Sequence, residues 1–323
     1  MVVVTRRTRT LIGAAIGCLL IAGLVLIAVL SAGRSREGKA YLREKTEKIL
    51  PFDARQLVRL EIDIEGRKCV LQRSAAGWRL MQPVADDVDG ASLAALLGAL
   101  AKLTAGTESG AASDYGLSPP RARISLLSSS GEKLALLVGA RGKFPDLLYL
   151  QKEGRPEALY VAGEFEKVLL QNSFDLRRKR LLLFEPRLLT NLVLKTAGNV
   201  IEFQKRGQRW LMLRPDRGPA NQAAVGRIVT TLHALRAVAF PDERQTPRSA
   251  FGLDPAEITA KLYGPDERSL VEVALGSVHD HTDRTRFYAR CITPPGPLAE
   301  IREYQFRNLS QAPAALLDRA KTE

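Results

Sequence analysis

Cysteine and histidine are scarce in this chain, three of each among 323 residues. So few cysteines exclude a disulfide-dense scaffold. Together the two counts leave little material for a metal enzyme or a redox relay. No phosphate-cradling glycine loop, nucleophile elbow or Cys-x-x-C is present. Acidic residues are also the minority charge, 35 against 48 Lys plus Arg, for a formal net charge of +13. That excess does not read as a nucleic-acid surface, because no aromatics interleave with it and no reading motif accompanies it. What is abundant is apolar: 46% of residues are hydrophobic and 26% charged, a folded rather than a disordered composition. The length allows one large domain or two of ordinary size.

One long run carries no charge. It opens at Leu11 and closes at Leu30, with Arg6, Arg7 and Arg9 before it and Arg34, Arg36 and Lys39 after it. Twenty residues at about 1.5 Å each reach across a hydrocarbon core of roughly 30 Å. A transmembrane helix is therefore expected, with a bilayer as its partner. A cleaved signal peptide is the competing reading, but its apolar region is ordinarily 7–15 residues long. Orientation is weakly marked because basic residues flank both ends. The cost of translocating three arginines favours a cytoplasmic N-terminus, with the bulk of the chain outside. Residues 39–50 then read as a charged helical stalk, with Glu44 and Lys48 at the favourable i,i+4 spacing.

Beyond the stalk the chain repeats itself. With a constant shift of 132 residues, Phe52 falls on Phe184, Leu60 on Leu192, Trp78 on Trp210 and Pro83 on Pro215. The two tryptophans are the chain's only ones, and each begins W-x4-P. Leu93, Leu96, Leu97, Leu100 and Leu103 fall on Val225, Ile228, Val229, Leu232 and Leu235, one face of an amphipathic helix. Asp89 and Asn221 stand before these stripes as N-caps. Downstream, Tyr115-Gly116-Leu117 matches Phe251-Gly252-Leu253, and Gly139 matches Gly276. Alternation at Val58, Leu60, Ile62 and Ile64 marks a half-buried strand. The expected architecture is α+β: a transmembrane helix followed by two tandem units, each a mainly antiparallel sheet packed on one amphipathic helix. The expected divisions are 1–33 for tail and anchor, 34–51 for the stalk, and 52–183 and 184–323 for the repeats.

Because the matched residues recur, they read as requirements of folding. Trp78 and Trp210 lie in strand patterns facing the helix and serve as core. Pro83 and Pro215 end a strand, since proline cannot continue a ladder. Gly116 and Gly252 supply a positive φ in a turn, pinned by Tyr115 and Leu117 or by Phe251 and Leu253. Cys69, aligned with Ile201, reads as a small buried hydrophobe. One segment could carry chemistry: His279, His281 and Asp283 would fit a metal site, the two histidines on one side of an extended stretch. Nothing nearby completes such a site, and a polar hairpin tip is the preferred reading, so no catalytic, cofactor or metal residue is assigned. The basic run Arg177-Arg178-Lys179-Arg180 reads as a solvated stretch between the repeats.

The order of these motifs resembles a bacterial family known as domain of unknown function 4340. W-x-L-x-x-P at Trp78 to Pro83, Asp89 before a leucine-striped helix, Tyr115-Gly116-Leu117 with Pro119, and a strand ending Val138-Gly139 carry the resemblance. It implies a membrane-anchored envelope protein without a known activity or cofactor. Many such proteins are encoded near components of ABC-type exporters, including ones tied to gliding motility. The expectation is a non-enzymatic, single-pass protein of the bacterial inner membrane with its bulk in the periplasm. It would be an accessory subunit of an ABC-type transport system, with a membrane protein such as a permease as partner. The alternatives are a structural envelope adaptor without a transporter, and a metal-dependent hydrolase using the His279/His281 loop.

Overall fold

A computed structural model describes residues 46–142, 147–196, 198–241, 248–266, 269–279 and 284–318. The chain divides into two compact units between Arg177 and Arg178. In the first, β2 (Leu57–Ile64), β3 (Arg67–Ser74) and β4 (Gly77–Gln82) form an antiparallel meander, with β5 (Asp86–Asp87) closing its edge. Alternation places Leu60 and Ile62 on the buried face of β2, and a register shift between Leu57 and Arg59 buries Leu57 there in place of the expected Val58. Helix α1 (Gly90–Lys102) follows, its first turn capped by the Asp89 carboxylate, which accepts from the Ser92 N–H. Its stripe of Leu93, Leu96 and Leu100 packs into one core with Leu60, Ile62, Leu71 and Leu80. Strands β6 (Thr104–Glu108), β7 (Ala122–Ser128), β8 (Lys133–Arg141), β9 (Leu147–Lys152) and β10 (Ala158–Ala162) complete the sheet. Two short helices, α2 (Glu166–Leu169) and α3 (Ser173–Leu176), then return over the same face, where Leu169 and Leu176 join the core.

The second unit is built from β11 (Asn191–Thr196), β12 (Asn199–Arg206), β13 (Arg209–Arg214) and β14 (Gly218–Pro219), then α4 (Gln222–His233). Strands β15 (Ile258–Tyr263), β16 (Ser269–His279), β17 (Thr285–Thr293) and β18 (Leu298–Ile301) follow, and α5 (Glu303–Leu309) and α6 (Pro313–Leu316) end it. Its strand order, β18-β17-β16-β15-β11-β12-β13-β14, coincides with β10-β9-β8-β7-β2-β3-β4-β5 of the first sheet. The unit ends correspond as well. The Ile49 N–H bonds the Leu103 carbonyl as Leu181 bonds Leu235, and the Asp89 N–H bonds Leu176 as Asn221 bonds Leu316.

These elements correct the expected fold class. The described residues are mostly strand, in two antiparallel sheets with few helices, rather than α+β. The leucine stripe is a conspicuous 3.6-residue signal, yet in each unit it yields one helix of 12 or 13 residues. Strand β9 carries no alternation along its first four residues. Leu147 to Leu150 on β9 are all buried, Leu148 and Leu150 in the main core and Leu147 and Tyr149 in a second cluster on the opposite face. A strand covered on both sides loses its period of two. No helix among the described residues is long and apolar enough to cross a membrane. Residues 11–30, expected to form such a helix, lie outside the described residues. The end of the expected helical stalk is strand: β1 (Glu47–Lys48) pairs with Ala105 and Thr104 on β6, and Ile49 is buried.

Candidate functional site

The glycines that recur make a close-packed seat. Gly116 has φ 65° and Gly252 has φ 65°, the left-handed conformation that a side chain disfavours. In both units this turn lies directly on a strand glycine. A Cβ on Gly139 would overlap the Tyr115 carbonyl oxygen, and one on Gly276 would overlap that of Gly252. The turn's aromatic residue then packs on the sheet face away from the helix. The Tyr115 ring lies 4.5 Å from that of Tyr149, and its hydroxyl donates to the Ser109 carbonyl at 2.7 Å. Phe251 meets Tyr288 edge-on at 5.1 Å. Leu117 is buried, and Leu253 packs beside Phe251. These positions hold a turn to a sheet.

Trp78 and Trp210 face the helices on β4 and β13, but unequally. Trp210 is buried, whereas Trp78 is half-buried against the first core. The backbone around them differs as well. The Gln222 carboxamide accepts from the Trp210 N–H at 2.8 Å and donates to its carbonyl at 2.9 Å, closing the strand's end. Gly90 stands at the corresponding place in the first unit and has no side chain to do so. Pro83 and Pro215 both follow cis peptide bonds where β4 and β13 end.

The basic run is not a solvated stretch. Arg177 is buried at 8% exposure, and its guanidinium grips the Asp86 carboxylate through Nε at 2.7 Å and a second nitrogen at 2.6 Å. Both nitrogens converge on Oδ2, and the pair satisfies the desolvated charges together. Arg180 bonds the His233 carbonyl at 2.9 Å, on the last turn of α4, where the helix dipole favours a cation. A further ion cluster joins Arg121 and Arg141 to Glu166, at 2.5 Å each. Burial raises the Glu166 pKa, but the two guanidiniums outweigh it and hold the carboxyl below its ordinary value. All of these groups are engaged in structural pairs.

His279 ends β16 on the surface, with Nδ1 3.1 Å from the Thr285 hydroxyl. His281 and Asp283 lie outside the described residues. Among the described residues no cluster of three or more His, Cys, Asp or Glu side chains could hold a metal ion. Cys69 and Cys291 are free and buried. For Cys69, burial, with the Asp175 carboxylate adding, pushes the thiol up to about 12. A thiol so strongly held in its neutral form is a poor nucleophile.

A cleft of ≈ 920 Å³ with mixed chemistry opens in the first unit, on the sheet face that carries the helices. Its apolar wall comes from Ile62, Ile64 and Cys69 on β2 and β3, with Leu170 and Phe174 from around α2 and α3. Arg67 and Lys68 edge it from β3, and Gln82, Gln171 and Ser173 supply polar groups. Gln171 Oε1 is buried with no hydrogen-bond partner. Ile62, Ile64 and Cys69 were visible in the sequence only as core positions, and Arg67, Lys68, Gln171, Ser173 and Phe174 not at all, because the lining comes from short stretches without a shared motif. One signal was present: several do not recur. Arg67 corresponds to Asn199 and Lys68 to Val200, and Phe174, two residues before the corresponding helix ends Leu176 and Leu316, corresponds to Ala314.

Fold and sites together define a two-unit antiparallel β protein whose recurring residues secure turns and helices to sheets. The family model described as Domain of unknown function (DUF4340) matches residues 78–254, and the chain belongs to that family. The match runs from Trp78 on β4 to Asp254, just past the Phe251-Gly252-Leu253 turn. Neither the curated proteins nor the solved structures include a match to this chain.

Proposed function

We propose that the chain is a non-enzymatic envelope protein carrying two tandem copies of one module, and an accessory subunit of an ABC-type transport system that works through protein–protein contacts. The apolar run of residues 11–30 is its attachment to the bacterial inner membrane, with the bulk of the chain in the periplasm. The observation that carries this reading is the duplicated architecture. One strand order occurs twice, and the recurrent aromatic, glycine and leucine residues are taken up in packing. What the modules then offer is surface. The link to an exporter rests on the family resemblance of the W-x-L-x-x-P and aromatic-Gly-Leu motifs. The test is purification of the full chain from its native membrane in mild detergent after gentle crosslinking. A permease or an ABC ATPase recovered in stoichiometric amount supports the reading, and the chain recovered alone overturns it.

A further inference from the structure

A duplicated module separates two kinds of residue. Those that recur are what each copy needs to fold, and those that differ at one place mark what one copy does alone. By that criterion the first-unit cleft is set apart. Its ring, Phe174, corresponds to a methyl group in the second unit, and its cation, Arg67, corresponds to the neutral Asn199. We infer that this cleft is a binding site for a small amphipathic anion, an aliphatic chain ending in a carboxylate, with the chain against Ile64 and Phe174 and the carboxylate at Arg67.

Three features lead there. The size, ≈ 920 Å³, falls in the range of small-molecule pockets, which are mostly apolar with a few placed polar groups. The Arg67 guanidinium is held only by Glu65 at 3.4 Å, with side chains 80% and 74% exposed. Such an open pair is weak, so a carboxylate arriving from the apolar side can recruit the guanidinium in the two-pronged geometry it prefers. The Gln171 Oε1 makes no hydrogen bond. Nothing therefore holds the carboxamide on its oxygen side, and half a turn offers its NH₂ to the same carboxylate. This inference stands apart from the transporter reading, because the purified chain alone tests it.

Binding is read directly by isothermal titration calorimetry on the purified full chain. Octanoate is the probe, with octylamine and octanol as controls of equal chain length. Octanoate should bind saturably while the two controls bind far more weakly. Arg67→Asn should raise the octanoate Kd by about tenfold or more, the scale of a lost charge-assisted bond. Phe174→Ala should weaken binding as well. Both changes install the residue the second unit carries, and circular dichroism checks that each variant is folded. No binding of octanoate, equal binding of all three compounds, or an unchanged Kd in folded Arg67→Asn would each overturn the assignment.

Discussion

Replacing Gly139 with alanine tests the packing that both units share. Gly139 lies in β8 without a positive φ, so alanine is compatible with its backbone and only space is at issue. The new methyl would overlap the Tyr115 carbonyl and come within 3.0 Å of Leu117 Cγ. The turn cannot easily withdraw. The Leu117 N–H bonds the Ala112 carbonyl at 2.9 Å, and the Tyr115 hydroxyl bonds Ser109 at 2.7 Å. Overpacking of this kind costs about 1–3 kcal/mol. The stiffer unfolded chain returns roughly 0.4–1 kcal/mol, so the net loss is about 1–2 kcal/mol. Gly98→Ala is the matched control. It lies inside α1 with nothing within 4 Å of the added methyl, and should stabilise by about 0.5–1 kcal/mol. Urea denaturation followed by circular dichroism reads both. The packing argument fails if Gly139→Ala proves as stable as the parent chain.

The buried pair gives a second contrast. Arg177→Leu alone leaves the Asp86 carboxylate without its cation and should cost about 3–5 kcal/mol, whereas Arg177→Leu with Asp86→Gly should come close to neutral. That double variant copies Leu317 and Gly218 of the second unit, and an additive loss in the same denaturation assay would contradict the pairing. Glu166 gives a pH dependence. Its carboxyl is held below its ordinary value in the folded chain, so its stabilisation is present above the unfolded pKa and is lost as pH falls through the lower folded one. Glu166→Gln should therefore lower thermal stability at neutral pH and shrink the acid-side decline, and an unchanged acid limb would count against it. The tryptophans should differ in emission. With Trp78→Phe the remaining buried Trp210 should emit to the blue of Trp78 in the Trp210→Phe chain, and acrylamide should quench it less.

What could be read in advance follows from the range of the interactions. Helix α1 and its Asp89 cap were legible because periodicity and capping are set within a few residues. The aromatic-Gly-Leu turn was visible as a motif, but its purpose was not. The seat on Gly139 joins residues far apart in sequence, and spacing says nothing of which carbonyl a missing Cβ makes room for. Arg177 shows the same limit. In sequence it belongs to a run of four basic residues, while the carboxylate that buries it lies on β5, 91 residues earlier. Strand β9 was hidden for a different reason, since, covered on both faces, it loses the alternation that marks β7 and β15.

Two units with one strand order ease that limit. Within one unit, neither a buried glycine nor a cleft arginine announces its purpose. Set beside the second unit they separate. Gly139 must match Gly276, because any Cβ there strikes the turn that both units use. Arg67 is free to differ from Asn199, because its charge lies at an exposed strand end where the fold asks nothing of it. Asp86 and Arg177 take the same argument further. Their replacement by Gly218 and Leu317 in the second unit shows that the shared strand order does not require an ion pair at this place. The pair therefore belongs to what distinguishes the first copy, as the cleft does, and the two departures fall on neighbouring elements, β3 and β4 with β5 and α3. Removing the pair while keeping the fold, with Arg177→Leu and Asp86→Gly, should on this reasoning alter octanoate affinity more than it alters stability. If affinity and stability were both unchanged, the pair would be a neutral difference between the units and not a support for the cleft.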